Sequence, residues 1–153
     1  MNQTMYLVDS NALVALARHR ILSAYFRAHC RVTADVLWEA REHPEQSALA
    51  EDVCELTPAV LEQVRAVMKT VDVGDTGLVD LYKNKGTADP GLIASALDAI
   101  AADEGKLLGD TWILVTNDRA VEAKAVEFGI AVVRPEILME HIDTAAAQHG
   151  ATG

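Results

Sequence analysis

The sequence predicts an α/β domain in which a mainly parallel sheet lies between two layers of helices. Three observations predict it. Short apolar runs alternate with longer segments of helical spacing, which is the pattern of strand–helix repeats. A chain of 153 residues is long enough for a three-layer core in one domain. Acids recur where strands hand over to helices: Asp9 ends the run Met5-Tyr6-Leu7-Val8, Glu39 and Asp118 follow later runs, and Asp89 opens a long apolar helix.

In chain order, the apolar runs predict strands at 5–9, 30–33, 53–56, 112–116 and 130–133. Helical segments are expected at 10–18, 20–28, 34–42, 45–51, 58–68, 75–83, 88–104, 119–128 and 135–146. Thr57-Pro58 reads as an N-cap followed by proline at the first helical position. In 88–104, Ile93, Ala96, Leu97, Ile100 and Ala101 recur at spacings of three and four, and Asp89 shares their face at the amino end. Asn84-Lys85-Gly86 and 105–110 read as loops. Gly129 stands where a helix ends before Ile130-Ala131-Val132-Val133. Residues 1–145 form the domain, and the small, polar residues 146–153 form a flexible tail that frays.

Composition narrows the function. No stretch approaches the roughly 20 apolar residues of a membrane span, and the N-terminus lacks the features of a secretory signal, so a cytoplasmic protein is expected. Cys30 and Cys54 show no metal spacing and read as buried free thiols. The net charge of −10 argues against a passive nucleic-acid binder, which needs a basic surface. It argues less against a metal enzyme, because bound cations offset clustered carboxylates. Arg41, Lys85 and Arg119 lie close in sequence to Glu39, Asp89 and Asp118. They serve either solubility or contact with phosphates.

In a parallel sheet every strand presents its C-terminal end to one edge, where open α/β sheets bind ligands. Asp9, Glu39, Asp89 and Asp118 are therefore expected to meet. Two unit charges 4 Å apart repel by about 1 kcal/mol in water and about 4 kcal/mol at an effective dielectric of 20. Such a cluster either binds protons or holds a cation. Hard oxygen donors suit Mg²⁺ or Mn²⁺, which activates water and stabilises charge on a phosphoryl group. A capping role competes for each aspartate, since all three stand where helices begin. The capping reading gives no reason for the four acids to share an edge. Asn11 and Thr116 would orient ligands or water, or else make ordinary cap and turn hydrogen bonds, and Asn117 is placed to exchange roles with Asp118.

At these residues the chain resembles the PIN-domain nucleases of the VapC toxin type. Leu7-Val8-Asp9-Ser10-Asn11-Ala12-Leu13 is similar to the family's first strand and acid. Asp35-Val36-Leu37-Trp38-Glu39-Ala40, Ala88-Asp89-Pro90-Gly91-Leu92-Ile93-Ala94-Ser95-Ala96 and Val115-Thr116-Asn117-Asp118-Arg119 are similar to its second, third and fourth motifs. Phe128 to Pro135 resembles its last strand and following helix. The resemblance implies a five-stranded parallel sheet in an α/β/α sandwich. It also implies Mg²⁺- or Mn²⁺-dependent cleavage of RNA phosphodiesters by Asp9, Glu39, Asp89 and Asp118, often a homodimer, and an antitoxin protein as partner. The stretch Arg119-Ala120-Val121-Glu122 departs from the toxins by lacking an aromatic soon after the fourth motif.

Other residues point elsewhere. Asp35 reads as a helix cap, Asp72 and Asp75 as turn residues, and Asp103, Glu104 and Asp110 as solvated acids. His19, His29, His43, His141 and His149 lack ligand spacing, which argues against zinc. Trp38, Trp112, Tyr25 and Phe26 read as core or interface rather than as base-stacking platforms, and the region of Leu13, Leu16, Tyr25 and Phe26 as core or as contact with a second subunit. Two other functions fit parts of the pattern. One is a catalytically silent PIN-fold module that binds RNA or protein, against which the four intact acids argue. The other is a phosphoacceptor receiver domain, which needs an acidic pair before its acceptor strand, and Met1 to Val8 contains no acid.

Overall fold

The computed structural model describes residues 2–42, 44, 46–50, 53–54, 57–72, 74 and 89–151. The expected helix 75–83, the loop Asn84-Lys85-Gly86, Asp75 and His43 lie outside these residues. The described elements run β1 (Thr4–Val8), α1 (Ser10–Leu16), α2 (Arg18–Ile21), α3 (Ala24–His29), β2 (Cys30–Thr33), α4 (Ala34–Glu39) and α5 (Gln46–Leu49). They continue as β3 (Val53–Cys54), α6 (Pro58–Met68), α7 (Asp89–Asp103), β4 (Thr111–Val115), α8 (Arg119–Glu127), β5 (Ala131–Val133) and α9 (Pro135–Gly150).

All five strands pair in parallel in the order β3-β2-β1-β4-β5. The central pair is in continuous register, from Thr4 opposite Thr111 to Val8 opposite Val115. Tyr6, Leu7, Val8, Leu114 and Val115 are buried, as expected of strands covered on both faces. Helices α1, α2 and α3 pack with α9, while α7 packs with α6 and α8. Parallel strands need crossovers, and these helical groups supply them. Among the described residues no helix is long and apolar enough to cross a membrane.

Local chemistry fixes the joints. Ser23, Thr33 and Thr57 each accept a hydrogen bond from the backbone N–H three residues on, which caps α3, α4 and α6. Thr33 thus takes the capping role expected of Asp35, which stands in the first turn of α4. Gly129 has φ +75°, the left-handed turn that ends α8 and feeds β5. Ala17 adopts φ 63° and ψ 160° between α1 and α2, a conformation that strains any residue with a Cβ. Helix α9 continues to Gly150, past the expected end at 146. Its alanines favour helix, and it packs on α1, α2 and α3. Arg20 grips Asp143 through two bonds of 2.9 Å, which draws the Asp143 carboxyl below its usual range.

Several side chains depart from expectation. Asp103 accepts bonds from Lys106 and from the Trp112 indole, and Asp110 accepts from Gln3 N–H, so neither acid is simply solvated. Leu13, Leu16 and Phe26 are buried within the chain, whereas Tyr25 and Trp112 are half-buried and Trp38 is exposed. Cys30 is buried and Cys54 half-buried; among the described residues neither forms a disulfide, and burial pushes the Cys54 thiol above its ordinary pKa.

Candidate active site

The strand order creates the site. From β1 the chain proceeds outward to β2 and β3, then returns to place β4 on the other side of β1. Where successive crossovers diverge, the carboxyl edge opens into a crevice. Asp9 leaves β1 and Asp118 follows β4 at this point.

Asp9 is only 3% exposed and is held by three kinds of bond. Its N–H donates to Val115 O at 3.0 Å. Its Oδ1 accepts from Ser10 N–H at 2.6 Å, with the Ser10 hydroxyl at 3.4 Å. Its Oδ2 accepts from the Thr116 hydroxyl at 2.7 Å. Thr116 is 1% exposed, and its oxygen also accepts from Asp118 N–H at 3.0 Å. One hydroxyl therefore ties the end of β1 to the turn after β4. Asp118 Oδ1 accepts from Ala120 N–H at 2.8 Å and Val121 N–H at 3.2 Å, which starts α8. Both aspartates are caps and cluster members at once, so the two sequence readings are compatible. A carboxylate oxygen has two lone pairs, and these bonds leave acceptor capacity on each acid.

Asp89 enters from the amino end of α7 and is half-buried. Its pKa is raised from 3.8 to about 7, first by desolvation and then by the negative charges of Asp9, Asp118 and Glu39. All four expected acids thus share one electrostatic neighbourhood. Glu39, at the end of α4, is the exposed member. It borders a hollow of about 280 Å³ lined also by Ser10, Val14, Ala40, Glu42 and Pro44. The Asp35 side chain of α4 reaches α7: a Cβ built on Gly91 would stand 3.0 Å from Asp35 Oδ2.

Proximity here falls short of ligation. Among the described residues, no three Asp, Glu, His or Cys side chains are gathered closely enough to hold one ion between them. The two observations are compatible, because Coulomb repulsion reaches well beyond the 2.0–2.1 Å of a Mg²⁺–oxygen bond. Mg²⁺ keeps several waters and takes only one or two carboxylates directly. The donor set is all carboxylate, it converges on one edge, and its members repel one another, so it fits a hydrated hard cation.

The supporting residues divide. Thr116 bonds Asp9, whereas Asn11 and Asn117 are exposed and neither makes a side-chain bond to an acid among the described residues. Ser10 and Asp35 also border the cluster; their only sequence signal was adjacency to Asp9 and a spacing of four from Glu39. Three histidines have structural partners: His29 with Thr4 O, His141 with the Tyr6 hydroxyl and His149 with Ala145 O. A separate apolar cavity of about 430 Å³ between α3 and α9 contains no carboxylate, so the chemistry does not coincide with the roomier hollow.

No protein-family model matches the chain, and no curated protein matches it. Solved structures do resemble it. FitAB bound to an IR36 DNA fragment is 13% identical with a TM-score of 0.50, over 86% of this chain and 95% of that one. PAE2754 from Pyrobaculum aerophilum is 21% identical with a TM-score of 0.49, over 93% of this chain and 98% of that one. The five-stranded parallel α/β architecture is that of a PIN domain, and the chain has the PIN fold that its motifs resemble.

Proposed function

We propose that the protein is a Mg²⁺- or Mn²⁺-dependent ribonuclease that hydrolyses RNA phosphodiester bonds, with Asp9, Glu39, Asp89 and Asp118 as its working acids. The observation that carries this reading is the mutual approach of Asp9, Asp118 and Glu39 to Asp89 at the crevice between β1 and β4. A divalent ion held by these carboxylates would activate water and offset charge on the phosphate. The chain's own contribution is orientation. Thr116 and Ser10 fix Asp9, the first turn of α8 fixes Asp118, and α4 carries Glu39 to the rim. FitAB, which shares the fold, was solved on a nucleic acid. Size and motif resemblance support a role as the toxin of a toxin–antitoxin pair, working as a homodimer in the cytoplasm with an antitoxin as partner.

A second reading has its own support. Because no three ligands are gathered at one point among the described residues, a catalytically silent module that binds RNA or protein also fits. Purified protein incubated with structured RNA and Mn²⁺ separates the two. Wild type is expected to cut, and Asp9→Asn to lose about 100-fold or more, at or beyond the usual effect of disturbing a metal site's supporting shell. Equal cutting by both proteins, or no cutting by wild type with either metal, overturns the nuclease reading.

A further inference from the structure

We propose that Trp38 and Arg41 form a stacking platform for one base of single-stranded RNA at the rim of the acidic crevice. The proposal rests on the RNA reading above and names how that same site receives its substrate. Trp38 is 67% exposed, an unusual state for the residue with the largest apolar surface. It immediately precedes Glu39 on α4, whose inward side is taken by Val36. The Arg41 guanidinium carbon lies 4.8 Å from the centre of the indole ring, and Arg41 Nη1 donates to Trp38 O at 3.1 Å. Arginine and tryptophan are thus stacked and tethered as a unit, yet most of the indole still faces solvent.

The surroundings favour a base over a protein surface. The chain neighbours Glu39, Arg41 and Glu42 are all exposed, so the indole is edged by charges. A docked helix or strand needs a contiguous apolar patch. A base needs one π face and tolerates every sequence, and a cation alongside serves the neighbouring phosphate. The protein's net charge of −10 makes that cation valuable, because an RNA backbone must pass close to four acids. Arg119 stands exposed beside Asp118, on the β4 side of the crevice, while Arg41 stands on the β2 side. A single strand crossing the carboxyl edge would meet one arginine before the acids and one after them.

The test uses the full chain carrying Asp9→Asn, so that RNA binds without being cut, in Mg²⁺. The ligands are a short oligouridylate and an abasic ribose-phosphate oligomer of equal length. The oligouridylate is expected to quench tryptophan fluorescence and the abasic oligomer is not; the quench should vanish with Trp38→Phe, leaving Trp112 unchanged. Trp38→Ala should weaken oligouridylate binding by about 5- to 150-fold, the fold-change that corresponds to one stacked base. Binding of the abasic oligomer should be unaffected, and Trp38→Phe should recover most of the loss. Trp38 is exposed, so an unchanged thermal midpoint is expected to exclude misfolding. Unaltered oligouridylate binding by Trp38→Ala, beside a wild type that cuts RNA, overturns the platform and leaves the nuclease reading standing. Base-dependent binding lost with Trp38→Ala, beside a wild type that cuts nothing, supports the platform and removes the nuclease reading. No measurable RNA binding, or loss only of a protein partner in Trp38→Ala, overturns the platform.

Discussion

Thr116 shows how a single hydroxyl can serve folding and the site together. It donates to one buried carboxylate and accepts from the backbone of the residue that carries another. Removing it leaves Asp9 Oδ2 and Asp118 N–H both short of a partner inside the protein. Thr116→Val should therefore cost about 1–3 kcal/mol of stability, the usual penalty for an unsatisfied buried polar group. Metal-dependent cleavage should fall by about 10- to 100-fold. Thr116→Ser, which keeps the hydroxyl, should retain most of both. Urea unfolding and cleavage assays check the pair, and equal behaviour of the two variants would show that the bond carries no weight. The asparagines Asn11 and Asn117, read from sequence as supporting residues like Thr116, are exposed and make no such bond among the described residues.

At the scale of elements, the Asp35 side chain of α4 reaches α7 beside Gly91, two residues after Asp89. In most helices Gly→Ala gains about 0.5–1 kcal/mol. Here the added Cβ would press on Asp35 Oδ2 at 3.0 Å. Gly91→Ala should gain less than that in the wild-type protein and recover the full gain in an Asp35→Ala background. A double-mutant cycle in urea measures the difference. Equal gains in both backgrounds would mean that the helices have room to spare. In the sequence Asp35 passed for a cap, because Asp is a good cap and Thr33 two residues earlier is another; backbone geometry chose Thr33.

For the whole molecule, the convergence of like charge makes stability depend on pH. The Asp89 carboxyl is raised from 3.8 to about 7 in the folded state. Between those values the folded chain holds a proton that the unfolded chain releases, so stability falls as pH rises from about 4 to about 7. Metal-free protein should lose thermal midpoint across that window, and Asp89→Asn should flatten the dependence. Mg²⁺ should offset the loss at neutral pH, because binding to the folded state alone stabilises it. A metal-free midpoint that rises from pH 4 to 7 would contradict this electrostatic picture. Asp103 and Asp143, whose carboxyls are held below their usual range by Lys106 and Arg20, respond only at lower pH, where their protonation destabilises the fold.

The sequence by itself determined the alternation of strands and helices, the parallel sheet and the four acids at element boundaries. These follow from local rules: apolar runs, spacings of three and four, Thr57-Pro58 at a helix start and Gly129 at a helix end. It did not determine the strand order that puts β4 beside β1, since crossovers of similar composition permit other orders. That order brings Thr116 to Asp9 across a sequence separation of 107 residues. Nor did it determine which apolar residues are covered. Phe26 and Trp38 looked alike as core candidates, yet one is buried under α9's side of the sheet and the other stands in solvent beside Arg41. Burial depends on which surfaces meet, and only the tertiary structure decides that.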